Sequence, residues 1–244
     1  MRVAILGGTR GMGREVARRL AERGADVFLW GRDPELLARS AADLAVRGAS
    51  SVHTGLCDLE RSDDFAAAFD EAEAGLGGLD AVVVTAGLFG TQEALEDDLA
   101  LAARVLDVNL TRTIVFCEHA RRRLLARRGG TLVVFSSVAG DRGRKTVGIY
   151  GAAKAGLSHY LESLDHRYRA AGLITICVKP GFVRTGMTAG LKEPPFAGEP
   201  GEVAERVVAA MIGGWPMVYA PGIWAWVMLV VRWLPRFVMR RVGF

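Results

Sequence analysis

The strongest constraint on the fold is a regular alternation between short apolar runs and amphipathic helical stretches. The run "VAILGG" is followed by "GREVARRLAERG", and the same order recurs as far as "TLVVFSS" and "LITICVKPG". These runs stay apolar instead of alternating with polar residues, which is typical of parallel strands that are covered on both faces. Repeated strand–helix units predict an α/β protein with a doubly wound parallel sheet and helices on both faces.

Capping residues mark the ends of several predicted helices. Gly24 is expected to end the first helix, while Asp33 and Pro34 are expected to be the N-cap and the first residue of the second. Further helices are predicted over Phe65–Glu73, Glu93–Arg128 and Tyr150–Ala171.

No linker, internal repeat or low-complexity tract divides the chain, so residues 1–244 are expected to form a single domain. Two segments stand apart from the strand–helix pattern. The Pro- and Gly-rich stretch 182–201 is predicted to be a flexible substrate loop or lid. Residues 221–244 form an apolar and basic stretch that we call the C-terminal arm.

Composition and charge narrow the class of protein. Apolar residues make up 50% of the chain and charged ones 24%, and a net charge of +4 is too small to indicate a nucleic-acid binder. Cys57, Cys117 and Cys177 form no CxxC pair and the histidines show no ligand spacing, so neither a disulfide framework nor a metal site is predicted. A strand pattern begins almost at the first residue, which leaves no room for a signal peptide and predicts a cytoplasmic protein.

The turn after the first predicted strand, "GGTRGMG", is rich in glycine. Gly7, Gly11 and Gly13 permit a tight turn, close approach of the backbone to a pyrophosphate and close helix packing, and the helix N-terminus offers free N–H groups to anionic oxygens. The spacing is GxxxGxG rather than GxGxxG, and a tight turn without a ligand is the alternative. The position directly after the first strand favours dinucleotide binding and a Rossmann-type sheet.

The residues at the end of the second predicted strand indicate whether the dinucleotide is NAD(H) or NADP(H). An acidic residue there would bind a ribose 2′-hydroxyl, whereas an arginine would accommodate a 2′-phosphate. Gly31 stands where the acid is expected, Arg32 follows it, and Arg10 in the glycine turn is within reach of the same phosphate. Asp33 is the competing candidate for NAD(H), but helix capping already accounts for it. NADP(H) is therefore predicted over NAD(H); the alternative is that both arginines are ordinary surface charges.

A candidate catalytic set lies around the helix that follows "TLVVFSS". Tyr150 and Lys154 are four residues apart and share one helix face. An ammonium group beside a phenol favours the phenolate, so Lys154 is expected to lower the pKa of Tyr150 towards neutrality. Ser137, at a neighbouring strand end, is placed to hydrogen-bond a substrate oxygen and hold it for hydride transfer.

The glycine turn, "TAG", "VNL", "SS", YxxxK and "PGFVRT" occur in an order that resembles the classical short-chain dehydrogenase/reductase family over essentially the whole chain. The resemblance implies a catalytic tetrad: Tyr150 as proton donor, Lys154 on the nicotinamide ribose, Ser137 orienting the carbonyl and Asn109 holding a proton-relay water. Together with the two arginines, the predicted cofactor-binding residues are Gly7, Thr9, Arg10, Gly11, Met12, Gly13, Arg32, Asp58, Leu59, Ala86, Gly87, Tyr150, Lys154, Pro180, Gly181, Val183 and Thr185.

Within this set, the resemblance implies that Asp58 contacts the adenine, and that the backbone of Val183 and the hydroxyl of Thr185 hold the carboxamide. The chain departs from the family pattern at Leu6 and Gly8, which replace the usual Thr and Ala of the turn. "VTAG" likewise replaces the usual version with two asparagines. These departures concern supporting positions and leave the catalytic set complete.

Two further features concern partners. The arginine run from Arg121 to Arg128 closes a predicted helix, where cations complement the macrodipole, so a solvated helix end is favoured over contact with nucleic acid or membrane. The helix that contains "EALEDDLALAARVLD" and the helix after Tyr150 are both amphipathic. In the family these two helices often pair with those of another subunit, so the resemblance implies a homodimer or homotetramer.

The C-terminal arm is too short to cross a membrane. No residue from Gly213 to Val231 is charged, but prolines interrupt the run, and only "GIWAWVMLVV" precedes Arg232, whereas a spanning helix needs ~20 apolar residues. Pro235 is expected to kink or restart the helix. Tryptophans among arginines favour an interfacial segment and hence peripheral membrane contact. The alternative is an arm that closes the substrate pocket or packs on another subunit.

The substrate is the least constrained property of the sequence. "SSVAGDRGRK", "VRTGMTAGLKEPP" and the arm are similar to reductases that act on decaprenylphosphoryl-2-keto-erythro-pentose in the synthesis of arabinan precursors. We therefore expect an NADPH-dependent oxidoreductase that transfers hydride to a ketone of an apolar or lipid-linked substrate. One alternative is a 3-oxoacyl or hydroxysteroid-type dehydrogenase. The alternative from another class is a non-catalytic NADP-binding protein that docks on a membrane or partner.

Overall fold

A parallel sheet forms the centre of the computed structural model, which describes residues 1–242. Its strands are β1 (Arg2–Leu6), β2 (Asp26–Gly31), β3 (Ser51–Leu56), β4 (Ala81–Val84), β5 (Gly130–Phe135), β6 (Leu173–Pro180) and β7 (Met217–Ala220). Their order across the sheet is β3-β2-β1-β4-β5-β6-β7. The predicted single-domain, doubly wound α/β fold is confirmed. Gly243 and Phe244, the last residues of the predicted arm, lie outside the described residues.

The strand order reverses at β1, and this reversal fixes where a ligand can enter. β1 pairs with β2 on one side, with Leu6 opposite Trp30, and with β4 on the other, with Leu6 opposite Val84. The sheet is parallel, so the carboxyl ends of β1 and β4 meet at one edge while the chain leaves them in opposite directions. In open sheets of this type, a crevice forms at that point.

Helices cover both faces of the sheet. They are α1 (Gly11–Ala21), α2 (Pro34–Val46), α3 (Phe65–Leu76), α4 (Gln92–Asp97), α5 (Leu99–Leu106), α6 (Thr113–Ala126), α7 (Gly148–Tyr168), α8 (Pro200–Gly213), α9 (Ile223–Trp233) and α10 (Arg236–Met239). Short 3₁₀ turns lie at Ser62–Asp64, Val138–Gly140 and Arg169–Ala171, and a π-helical stretch lies at Asp107–Arg112.

The predicted start of α2 is confirmed. Oδ1 of Asp33 accepts hydrogen bonds from the backbone N–H groups of Glu35 and Leu36 at 3.0 and 3.1 Å, and Pro34 is the first helical residue. Gly24 follows the end of α1 with a left-handed φ of +69°, as a residue that ends a helix commonly does.

The single long helix predicted over Glu93–Arg128 is wrong. The segment is divided into α4, α5, the π-helical stretch and α6. The first break lies at Asp98, whose extended backbone (φ −120°, ψ 94°) ends α4. Its side chain then caps α5 by accepting a hydrogen bond from the N–H of Leu101 at 2.9 Å. The apolar spacing continues across the break, which is why the pattern alone suggests one helix.

Two apolar layers hold the helices to the sheet, one on each face. Alternate residues of β1 show the division: Val3 and Ile5 pack with α1, α2 and α8, whereas Ala4 and Leu6 pack with α3, α6 and α7. The second layer is largely aromatic, because the ring of the fully buried Phe116 lies 4.8–5.5 Å from the rings of Trp30, Phe65 and Phe69. Both faces are therefore buried, as the unbroken apolar strand runs predict.

The C-terminal arm packs on the body through one face of α9. Trp224, Met228 and Val231 are buried there and form a small core with Val138, which follows β5. Trp224 lies directly over Gly181, where a Cβ would be 2.0 Å from the indole Nε1. α9 ends at Trp233, and α10 begins after Pro235, so the predicted restart of the helix is confirmed. Within residues 1–242, every helix falls short of the length and apolar character needed to span a membrane.

Candidate active site

A cleft of about 410 Å³ opens at the carboxyl ends of β1 and β4, where the strand order reverses. The glycine turn, the ends of the neighbouring strands and the loop after β6 surround it. Its lining residues are Leu6, Gly7, Thr9, Arg10, Gly11, Met12, Gly13, Gly31, Arg32, Cys57, Asp58, Leu59, Glu60, Thr85, Ala86, Gly87, Leu88, Val108, Thr185, Gly186 and Met187.

The glycine turn is shaped to bring α1 against the end of β4. Gly7 has a φ of +92°, which glycine adopts without strain. A Cβ on Gly13 would lie 2.3 Å from the carbonyl oxygen of Gly7 and 2.4 Å from Oγ1 of Thr85. No side chain caps the N-terminus of α1, so its first N–H groups face the cleft as an anion-binding end. The residues present therefore fit the pyrophosphate of a dinucleotide.

One end of the cleft is lined by charged residues. Arg32 is exposed, and its Nη1 lies 3.8 Å from Oδ2 of Asp58 and 3.7 Å from Oε1 of Glu60. Glu60 is already engaged, because Arg104 binds both of its carboxylate oxygens at 2.6 and 2.7 Å. These hydrogen bonds lower the pKa of Glu60. Arg10 is exposed on the facing turn, so Arg10 and Arg32 supply the positive charge that lines this end of the cleft.

The other end of the cleft is held in place by Asn109. Its amide side chain accepts a hydrogen bond from the N–H of Leu88 at 3.0 Å and donates one to the Leu88 carbonyl at 2.6 Å. The π-helical stretch places this buried side chain against the strand end. A Cβ on Gly87 would lie 2.6 Å from Oδ1 of Asn109 and 3.8 Å from Nζ of Lys154, so these residues meet at one point.

Ser137, Tyr150 and Lys154 come together beside this end of the cleft. Ser137 follows β5, and its hydroxyl accepts a hydrogen bond from the N–H of Ala139 at 3.1 Å. Tyr150 lies in the first turn of α7, and its ring packs edge-on against Phe89 with centroids 5.2 Å apart. Nζ of Lys154 donates to the carbonyl of Phe135 at 2.9 Å and lies 5.8 Å from the centre of the Tyr150 ring.

The sequence-based expectation about the pKa of Tyr150 is wrong for this structure. Burial raises the pKa of Tyr150 to about 12, and the nearby Ser137 hydroxyl offsets only part of the shift. Burial likewise lowers the pKa of Lys154 to about 8. Because Lys154 is bonded to the Phe135 carbonyl instead of to the phenol, the loss of solvent around Tyr150 outweighs its charge. Tyr150 therefore keeps its proton at neutral pH, which is the form that a proton donor needs.

Five predicted cofactor residues lie outside the lining of the cleft: Tyr150, Lys154, Pro180, Gly181 and Val183. Pro180 ends β6, and the N–H of Gly181 donates to the carbonyl of Ala220 at 3.0 Å. Val183 is buried, and its carbonyl accepts a hydrogen bond from Thr188 at 2.6 Å. The other members of the predicted set line the cleft.

The predicted loop 182–201 lines the cleft with Thr185, Gly186 and Met187 and is held by its own contacts. A Cβ on Gly11 would lie 3.5 Å from the methyl group of Thr185, so this loop reaches the glycine turn. Arg184 forms ion pairs with Glu193 and Glu199. The last two residues of the predicted loop, Pro200 and Gly201, belong to α8.

Several lining residues are absent from the sequence-based set, among them Thr85, Leu88, Val108, Glu60 and Met187. Thr85 directly follows β4. The sequence signal for it is its position after a strand that lies where the strand order reverses. Cys57 also lines the cleft, but burial raises the pKa of its thiol to about 12, so it is unreactive at neutral pH. No cluster of three or more metal-ligating side chains occurs within residues 1–242.

The family model for short chain dehydrogenases matches residues 1–195. The chain therefore belongs to the short-chain dehydrogenase family, whose members are oxidoreductases that act on CH–OH groups and bind NAD(P)(H). The arm lies beyond the matched residues.

Individual relatives agree with this assignment. An uncharacterised oxidoreductase of Mycobacterium tuberculosis (strain ATCC 25618 / H37Rv) is 35% identical over 243 residues, which cover 98% of this chain and 96% of its own. Carbonyl reductase family member 4 of Xenopus tropicalis is 32% identical over 213 residues, which cover 84% of this chain and 88% of its own. The first match extends through most of the arm.

A solved structure shows the same fold. A putative short-chain alcohol dehydrogenase from Sinorhizobium meliloti 1021 superposes with a TM-score of 0.81 at 27% identity, covering 91% of this chain and 95% of that protein.

The glycine packing makes a testable prediction. Gly13→Ala places a methyl group within 2.4 Å of two oxygens, so we expect the free energy of unfolding to fall by about 1–3 kcal/mol. The affinity for NADPH should fall about tenfold or more, since α1 must shift. Thermal denaturation and fluorescence titration with NADPH measure the two effects. Gly201→Ala, where a Cβ meets no atom within 4 Å, is the matched control. Unchanged NADPH affinity in Gly13→Ala would show that the turn does not hold the dinucleotide.

Proposed function

We propose that the protein is an NADPH-dependent reductase of ketones in apolar or lipid-linked substrates. The observation that carries this proposal is the meeting of Ser137, Tyr150, Lys154 and Asn109 at one end of a dinucleotide cleft, next to an apolar C-terminal arm. The complete set of polar side chains argues against a non-catalytic NADP-binding protein.

The proposed chemistry assigns one task to each side chain. NADPH supplies the hydride when bound in the cleft. Tyr150 donates its phenolic proton to the carbonyl oxygen, which converts the ketone to an alcohol, and Ser137 orients that oxygen by a hydrogen bond. Lys154 contributes a buried positive charge close to Gly87, which stabilises the phenolate left on Tyr150. Asn109 fixes the backbone of Leu88 and so keeps this end of the cleft open.

Removal of the Tyr150 hydroxyl tests this mechanism. Tyr150→Phe should lower kcat for ketone reduction by about 10²–10⁴-fold, because the proton donor is lost. NADPH binding should persist, since the glycine turn is untouched. Tyr168→Phe, at the far end of the same helix, serves as the control and should retain activity. Turnover in Tyr150→Phe at the unmodified rate, followed by NADPH absorbance, contradicts the assignment.

The preference for NADPH is supported by the charges at the far end of the cleft. Arg10 and Arg32 line it, and the position that commonly carries a ribose-binding acid is Gly31. Asp33, the competing acid, caps α2 with its side chain. Glu60 is bound to Arg104, so it leaves Arg32 largely available for a 2′-phosphate.

Substitution of Arg32 tests the cofactor preference. In Arg32→Ala, NADPH affinity should fall about tenfold or more, because a charge-assisted hydrogen bond contributes about 1.5–3 kcal/mol. NADH affinity should change little, since it carries no 2′-phosphate. Arg39→Ala removes an exposed arginine of α2 whose ion pair within residues 1–242 is with Glu35, and it provides the matched control. Equal losses for both cofactors would show that Arg32 does not bind the phosphate.

An apolar substrate is favoured by the place where the arm attaches. The buried face of α9 packs on Val138, the residue next to Ser137. The arm therefore forms a wall beside the candidate catalytic residues. This arrangement, with the resemblance to reductases of decaprenylphosphoryl-2-keto-erythro-pentose, supports a polyprenylphosphoryl keto-sugar or a similar ketone. A 3-oxoacyl or hydroxysteroid-type activity is the second candidate, and a panel of such ketones separates the two.

Self-association is a further part of the proposal. Leu99 is 74% exposed at the start of α5, one of the two helices that pair between subunits in the family. This exposed leucine supports a homodimer or homotetramer, which light scattering measures directly.

Peripheral membrane contact is supported by the outer face of α9. Trp226, Val230 and Trp233 are 70%, 62% and 82% exposed on this face, although the opposite face is already buried. A helix that is apolar on both faces needs a second apolar environment. Arg232 and Arg236 border the exposed face, so an anionic lipid surface complements it.

Vesicle binding tests this contact. The wild-type protein should co-float with vesicles that contain phosphatidylglycerol, whereas the triple variant Trp226→Ser, Val230→Ser and Trp233→Ser should lose most of this binding. NADPH affinity, measured in parallel, should stay unchanged because none of the three residues lines the cleft. Ile212→Ser, which removes an exposed apolar side chain from α8, is the control. Absence of vesicle binding by the wild-type protein would contradict the proposed membrane contact.

A further inference from the structure

A second cavity, of about 360 Å³, lies between the loop that precedes α7 and the helix α10. We call it the cationic groove. The charged side chains that line it are Arg142, Arg144 and Lys145 from the loop and Arg236 and Arg240 from the arm. No aspartate or glutamate of residues 1–242 lines it, and it shares no lining residue with the dinucleotide cleft.

The positive charges of the groove are not neutralised by the described part of the chain. None of the groove cations forms an ion pair with a carboxylate among residues 1–242. Arg184, in the loop after β6, shows the contrast, because it binds both Glu193 and Glu199. Like charges gathered in a cavity repel one another, so such a cluster favours a bound anion.

Arg144 is the most informative member of the groove. Its Nε is buried and has no hydrogen-bond partner within the described residues. Burial lowers the pKa of this guanidinium, and the charge of Asp141 opposes that effect only in part. A buried N–H group that lacks an acceptor costs free energy, which an anionic oxygen in the groove would recover.

The carboxylate of Asp141, whose charge acts on Arg144, already accepts hydrogen bonds from other groups. Oδ1 of Asp141 accepts from Nζ of Lys179 at 2.6 Å, and Oδ2 accepts from the hydroxyl of Tyr219 at 2.7 Å. The Asp141 side chain is only 2% exposed, so it is fixed in this arrangement. Both oxygens of Asp141 are therefore occupied by groups outside the groove, and the groove keeps its positive charge.

The groove is also connected to the candidate catalytic residues. Its loop joins Ser137 to Tyr150, and Nη2 of Arg142 donates to the carbonyl of Leu234 in the arm at 2.8 Å. An anion in the groove would thus contact both the loop between Ser137 and Tyr150 and the arm.

We propose that the cationic groove binds a phosphate or diphosphate group next to the ketone-reducing site. Guanidinium groups match phosphate oxygens with paired hydrogen bonds, and groups of the loop and the arm face the ligand from two sides. The phosphate belongs either to the substrate or to the headgroup of an anionic lipid. The assignment of this phosphate to the substrate rests on the proposed function. The existence of the anion site is independent of that function.

The direct test is calorimetric titration of the NADPH-saturated protein with inorganic diphosphate, since saturation with NADPH blocks the glycine turn. Wild type should bind diphosphate at one site, and Arg240→Gln and Arg144→Met should each weaken binding about tenfold. Arg122→Gln, an exposed arginine of α6, should leave it unchanged. Arg240 is exposed, so its variant remains informative if the variant of the half-buried Arg144 fails to fold. Equal diphosphate affinity in wild type and Arg240→Gln, or no binding to wild type, overturns the site.

Competition identifies the source of the phosphate. If geranyl phosphate displaces diphosphate and phosphatidylglycerol vesicles do not, the site binds the phosphate of the substrate. If only the vesicles displace diphosphate, the site binds a lipid headgroup. Failure of the proposed reductase activity is seen separately, as absence of NADPH oxidation with every ketone, and leaves diphosphate binding intact. Loss of diphosphate binding with normal ketone turnover refutes the groove alone.

Discussion

The contact between α1 and the end of β4 is the interaction on which the rest of the site depends. Gly13 lies so close to the Gly7 carbonyl and to Thr85 that no side chain fits between them. Because Thr85 also donates to the carbonyl of Leu6 at 3.1 Å, the turn, the strand end and the helix form one unit. The cleft opens where this unit meets the reversal in strand order. Gly7, Gly13 and Thr85, which form this unit, all line the cleft.

The candidate catalytic groups are held mainly by backbone atoms. Lys154 is bonded to the Phe135 carbonyl, and Asn109 is bonded to both backbone groups of Leu88. Backbone partners persist when neighbouring side chains change, so the same polar set can serve different substrates. The surroundings supply the distinguishing features, and here they are the buried apolar face of α9 and the cationic groove, which the arm helps to form. The proposed substrate, a ketone with a lipid chain and a phosphate, would match the apolar side chains of the arm and the positive charge of the groove.

The sequence predicts local features well, because each rests on a few adjacent residues. The capping of α2 by Asp33, the turn at Gly7 and the sheet itself follow from such patterns. The break at Asp98 was missed since the apolar spacing continues across it, and only the backbone conformation reveals it. Lining residues such as Val108 and Met187 were missed because topology, not spacing, brings them together. The pKa of Tyr150 depends on solvent exclusion by distant parts of the chain, which spacing to Lys154 does not encode.

The packing of Trp224 against Gly181 limits which substitutions this protein can accept. Any residue with a Cβ at position 181 would collide with the indole, while a smaller residue at 224 would leave a void over the end of β6. The two positions are therefore mutationally coupled, although they lie far apart in the chain. Variation in the first turn of α9 is therefore restricted for as long as Gly181 keeps this contact with Trp224.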